Sequence, residues 1–94
     1  MRNLIWSTTF VRAFKRRAHH QPELQEKVKR TLEQLAEDPF HPSLRSHKLK
    51  GDLSPAWACT VDYHNHIIFD FVPNPNSKED DILLLTMGTH DEVY

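Results

Sequence analysis

Cysteine is almost missing from this chain: Cys59 stands alone among 94 residues. One thiol cannot build an internal disulfide framework, and its use suits a reducing compartment, so a cytoplasmic location is expected. Long apolar runs are missing as well. None approaches the roughly 18 residues of a membrane-spanning helix, and no membrane partner is expected. The first ten residues, MRNLIWSTTF, have neither a long apolar core nor a small-residue cleavage site and do not read as a signal peptide. Repeats and low-complexity segments are also lacking. A net excess of charge is absent, since the formal total is -1. That is a poor recipe for a free-standing nucleic-acid binder and points to local basic patches instead.

The near-neutral total conceals a split. Residues 1–50 carry eleven Lys/Arg against five Asp/Glu, a surplus of six positive charges. Residues 51–94 carry one Lys against eight acids, a surplus of seven negative charges. A basic half of this kind could hold a polyanion or an acidic partner. Apolar content is ordinary, at 38%, so the chain is expected to fold as a single domain over residues 1–94. Such a domain has a thin margin of stability, because only roughly 60–65% of its unfolded surface is removed from water.

Periodicity sets the order of elements. Residues 2–6 read as a short strand. Ser7, Thr8 or Thr9 can cap a helix in which Phe10, Val11 and Phe14 share one face. His19-His20-Gln21 breaks it, and Pro22 fits the first turn of a second helix with Leu24, Val28, Leu32 and Leu35 at helical spacing. Asp38-Pro39 stops that helix near Glu37. An irregular connection over 39–46, a short strand near 46–50 and a Gly51-Asp52 turn follow. Trp57–Val61 and His66–Val72 read as a hairpin around the turn chemistry of Asp62–Asn65. After the Pro73–Ser77 loop, Ile82–Met87 is a continuous apolar run, as expected of a central strand covered on both faces. The expected fold is α+β, in the order β-α-α-β-β-β-β. A helical hairpin covers one face of an antiparallel sheet of four or five strands, and the other face stays partly open for a site. Trp6, Phe10, Phe14, Trp57, Phe69 and Phe71 are expected in the core, where Cys59 would be an inert buried thiol.

Histidine is what the chain has in plenty. Of seven, His47, His64, His66 and His90 fall on strands and turns that a sheet could bring together. RNA cleavage without a metal needs little more: a base for the 2′-OH, an acid for the leaving 5′-oxygen, and cations for the phosphate. Arg45, Lys48 and Lys50 are candidate phosphate contacts. The cations of the helices, Arg16 and Arg17 among them, read either as a solvated face or as contacts to RNA, the ribosome or an acidic partner. Taken singly, each His reads as a solvated turn residue. His64-x-His66 also has metal-ligand spacing, with His90 and Cys59 as further donors, but no second Cys or His pair supports it, and no metal or other cofactor is expected. Asp62 and Asp91 adjoin these histidines and are expected to favour their charged forms. Tyr94, after Asp91-Glu92, could stack on a base or join proton transfer.

Two segments together, Ser46-His47-Lys48-Leu49-Lys50-Gly51-Asp52-Leu53 and the ending Gly88-Thr89-His90-Asp91-Glu92-Val93-Tyr94, carry a resemblance. Trp57–Tyr63, Ile67-Ile68-Phe69 and the order of elements extend it over nearly the whole chain. The chain resembles the RelE/ParE superfamily of toxins, and within it the YafQ-like RelE toxins. The resemblance implies a ribosome-dependent mRNA endoribonuclease, inhibiting translation and silenced by a cognate antitoxin in a hetero-oligomer. It implies catalytic roles for His47 and His90. It sets His64 where those toxins have an acidic catalytic residue, His66 where an Arg usually binds phosphate, and Tyr94 at a C-terminal aromatic position. Thr60 stands in place of a further catalytic His. The resulting expectation has His64 as base and His90 as acid or phosphate stabiliser. His47 and His66 would then sit on the phosphate and Tyr94 would orient the nucleotide, with base and acid interchangeable. ParE-like members of the same fold poison gyrase through protein contacts, and a weakened toxin acting as antitoxin partner or co-repressor is the remaining alternative.

Overall fold

The computed structural model describes residues 1–50 and 55–93, the side chains of residues 92 and 93 excepted. Strand β1 (Leu4–Trp6) runs into helix α1 (Thr8–Ala18), and α2 is Pro22–Glu37. Ser7 caps α1: its hydroxyl oxygen accepts from the Phe10 amide at 3.0 Å, and its hydroxyl donates to the Leu85 carbonyl at 3.2 Å. The cap therefore also pins the helix to the sheet. His20 makes the reversal between the helices with a positive φ of 56°, a conformation that opposes helix continuation. Strands β2 (His47–Lys48), β3 (Trp57–Thr60), β4 (Asn65–Val72) and β5 (Asp81–Thr89) follow, and a short α3 (His90–Val93) ends the described chain. The expected Gly51-Asp52 turn lies outside the described residues.

The sheet order is β1-β5-β4-β3-β2. Pairs β2–β3, β3–β4 and β4–β5 are antiparallel, but β1 runs parallel to β5. The wholly antiparallel sheet expected from the sequence is thus a mixed one. The reason is topological: β1 leads straight into helices that cross the sheet face, and takes the edge beside β5 rather than a hairpin partner.

Helices and sheet close over one core. Phe10, Val28, Leu35, Cys59, Ile67, Phe69, Ile82 and Leu84 are all essentially inaccessible to water. The apolar run of β5 owes its length partly to a β-bulge. Ile68 pairs with Thr86 while Phe69 pairs with Leu84, so Leu85 is the extra residue. The bulge resets the alternation, and Ile82, Leu84 and Met87 all reach the helix-side core. The opposite face of β5 is half-buried rather than covered, which corrects the expectation of a strand sealed on both faces. A smaller cluster of Leu49, Ala56, Ala58 and Ile68, with Leu85 against it, lies apart from the main core. Trp6 departs from its expected core position too. It packs edge-on against Phe10, with ring centroids 5.2 Å apart, but stays 48% exposed on the short edge strand.

Candidate active site

Strand pairing assembles the histidines. Thr60 on β3, His66 on β4 and Gly88 on β5 form one row across the sheet. His47 on β2 lies opposite Ala58, which in turn lies opposite Ile68. Directly paired residues share a face and alternate residues return to it, so His47 and His66 both belong to the open face, two strands apart, or about 10 Å laterally. Gly88 puts no side chain beside His66, and α3 begins two residues later with His90. The rings of His66 and His90 are 5.9 Å apart at 66°. His47, His66 and His90 line one cavity of about 570 Å³ with Lys48, Leu49 and Lys50. Leu49 belongs to the small apolar cluster and gives this cavity an apolar element beside its cations.

The imidazoles differ in surroundings. His47 is exposed, and its Nδ1 lies 3.1 Å from the Arg45 carbonyl. A carbonyl only accepts, so Nδ1 carries the proton. His66 is half-buried, and its pKa is lowered from 6.5. Burial is the largest cause, the charges of His90 and then His47 add to it, and Asp62 opposes it most weakly. Asp62 therefore favours the charged ring, as expected, but burial and the two neighbouring imidazoles outweigh it. Asp62 has other work: its Oδ1 accepts from the amides of His64 and Asn65 and from the Asn65 side chain, at 2.8–2.9 Å. Its own pKa is lowered: burial would raise it, but those hydrogen bonds and the nearby Lys27 ammonium outweigh burial.

The other expected site residues are dispersed. His64 is exposed in the β3–β4 turn, with its ring 5.0 Å from that of Tyr63. It faces a second cavity, of about 440 Å³, lined by Tyr63, His64, His66, Thr89, His90 and Asp91. His66 and His90 thus form a shared wall between the two cavities. Arg45 is exposed, with a left-handed φ of 49°. Arg16 and Arg17 belong to α1, which packs on the far face of the sheet. There Arg17 grips the Asn65 side-chain oxygen through two nitrogens, at 2.7 and 3.1 Å. Its placement is that of an internal clamp rather than of an exposed RNA contact. Tyr94 lies outside the described residues. Among the described residues no group of three His, Cys, Asp or Glu is arranged to hold a metal ion, and no helix is long and apolar enough to cross a membrane.

Asn65 is the residue that sequence reasoning missed. It is buried, joins Arg17 on α1 to Asp62 in the turn, and immediately precedes His66. The Asp62-x-x-Asn65 spacing was legible as a turn. The long-range partner was not. Cys59 follows expectation: it is fully buried, and burial pushes its pKa from 9.0 up to about 12, against a weaker opposing hydrogen bond from the Ile67 backbone. Native protein at pH 8 is therefore expected to leave a thiol-reactive disulfide reagent unreacted, with full reaction after denaturation; fast native labelling would contradict this burial.

Solved structures share this architecture. A YoeB/ParE toxin from Agrobacterium tumefaciens superposes with a TM-score of 0.77 at 15% identity, over 94% of this chain and 98% of that one. The chain has the RelE/ParE toxin fold. A DinJ-YafQ toxin-antitoxin complex from E. coli gives 0.74 at 16% identity, over 99% and 97%. A conserved hypothetical protein from Helicobacter pylori gives 0.70 at 23% identity, over the whole of both chains. No protein-family model matches the chain, and no curated protein matches it in sequence. At these identities the RelE/ParE fold is what is shared, and function has to be argued from the site.

Proposed function

We propose that this protein is the toxin of a toxin–antitoxin pair and an endoribonuclease that cleaves mRNA on the ribosome without a metal, in the cytoplasm. The observation that carries the reading is the cavity formed by His47, His66 and His90 with Lys48 and Lys50. His66, with its lowered pKa, is neutral at physiological pH and suited to accept the 2′-OH proton. The 2′-oxygen then attacks phosphorus, the bond to the 5′-oxygen breaks, and protonated His90 supplies that oxygen's proton. His47, Lys48 and Lys50 stabilise the added negative charge, and Arg45 steers the backbone. The base role moves from His64, the residue favoured by sequence, to His66, because His66 lies in the same cavity as the cations. Tyr94 retains the nucleotide-orienting role that the resemblance implies.

The antitoxin partner is supported by the solved neighbours, which include the DinJ-YafQ and YoeB-YefM complexes. Purified protein added to translating ribosomes tests the whole reading. The expected result is cleaved mRNA with 2′,3′-cyclic phosphate and 5′-hydroxyl ends. Intact mRNA at stoichiometric protein, or equal cleavage of naked and ribosome-bound RNA, would overturn it.

A further inference from the structure

We propose that Tyr63 and His64 form a nucleobase subsite beside the reaction cavity, taking the base of a nucleotide that flanks the scissile phosphate. The inference rests on the nuclease reading above and concerns how that site holds its substrate.

Tyr63 is 90% exposed, the most exposed large apolar or aromatic side chain among the described residues. Its ring stands at 86° to that of His64, 5.0 Å away. Two perpendicular rings make a corner: a base stacked on one face presents its edge to the other. Tyr63 and His64 line the same cavity as His66 and His90, the residues assigned to proton transfer.

Charge separates the two cavities by task. The first is lined by Lys48 and Lys50 and suits phosphate. The second has no Lys or Arg among its described lining residues and includes Asp91 and Thr89. A carboxylate repels phosphate but accepts from an exocyclic amino group, and a threonine hydroxyl accepts or donates at a base edge. An RNA strand crossing the His66–His90 wall therefore has a cationic side for its phosphate and an aromatic, acidic side for a base.

The turn that carries the corner is also held from behind. Asp62 accepts three hydrogen bonds across it, Arg17 clamps Asn65, and Lys27 on α2 lies 3.7 Å from the Asp62 carboxylate. A tip anchored to both helices presents Tyr63 at a defined position relative to His66, which lowers the ordering cost of stacking.

The test compares wild type, Tyr63→Ala and Tyr63→Phe on programmed ribosomes. The mRNAs carry either a normal or an abasic nucleotide at each position flanking the cleaved bond. At one flanking position, removing the base is expected to slow wild-type cleavage about tenfold or more, the scale of one base–aromatic stack, and to leave Tyr63→Ala unaffected. Tyr63→Ala on normal mRNA should be slowed to the same degree, Tyr63→Phe by less than about twofold, with unchanged melting temperatures. Wild-type cleavage with an unaltered Tyr63→Ala rate, or an abasic penalty equal in both proteins, would overturn the subsite and leave the nuclease reading standing. A wild type that cleaves no mRNA overturns both.

Discussion

His66→Ala is expected to lower the rate of ribosome-bound mRNA cleavage by about 10²–10⁴-fold, the usual contribution of a positioned general base. His66 and His90 line both cavities, and of the two His66 is the one whose pKa is shifted. His66→Arg separates the roles open to this position. An arginine binds phosphate at least as well but cannot take a proton at neutral pH. As base, His66 is not replaceable by Arg, and His66→Arg stays inactive. Cleavage retained by His66→Arg would make it a phosphate ligand instead. The pH profile gives the same distinction with a sign. A base must be deprotonated, and the folded pKa of His66 lies below 6.5. The acid limb of cleavage should therefore lie below the ordinary imidazole range, with activity rising through it as pH increases. Were His66 needed as a cation, activity would instead fall as pH rises through that lowered pKa.

The second large effect concerns the fold. Phe69→Ala is expected to destabilise the domain by about 3–5 kcal/mol, as large-to-small changes of a buried aromatic do. Phe69 is inaccessible to water, lies in the helix-side core, and meets Phe71 edge-on at 5.6 Å. The whole stability of a small domain is about 5–15 kcal/mol. A melting temperature lowered by more than about 12 °C follows, at the usual several degrees per kcal/mol for this size. Calorimetry checks it, with Phe40→Ala as control. Phe40 packs on Trp57 and Phe71 but is 55% exposed, so its loss should cost much less. Equal shifts for the two would show that the core is not centred on Phe69.

Local chemistry made much of this legible. The serine cap, the Pro22 start, the Asp38-Pro39 stop and the Asp62–Asn65 turn are short-range features, and each is found where its residues stand. Helical periodicity in Leu24, Val28, Leu32 and Leu35 marked the buried face of α2. Strand pairing was harder to read. Leu4-Ile5-Trp6 identifies a strand but carries no information on whether its neighbour runs parallel. The apolar run of β5 looked like double burial because a bulge, which has no residue signature here, reset its alternation.

For the site, the same division applies. Amino-acid sequence by itself determined which groups are available: four histidines on the C-terminal strands and turns, two lysines beside the first of them, and one thiol without a partner. Tertiary structure alone decided which of them meet. Register across β2, β3 and β4 unites His47 and His66, and the helix after Gly88 brings His90 to them, while His64, two residues from His66, is turned to the neighbouring cavity. Arg17, indistinguishable in sequence from the cations around it, became a clamp because α1 crosses the sheet next to Asn65. The physical reason is one of range. Caps, turns and periodicity depend on neighbours a few residues away, whereas ring-to-ring geometry and the burial that shifts the His66 pKa arise from segments far apart in the chain, and exist only once the sheet has paired.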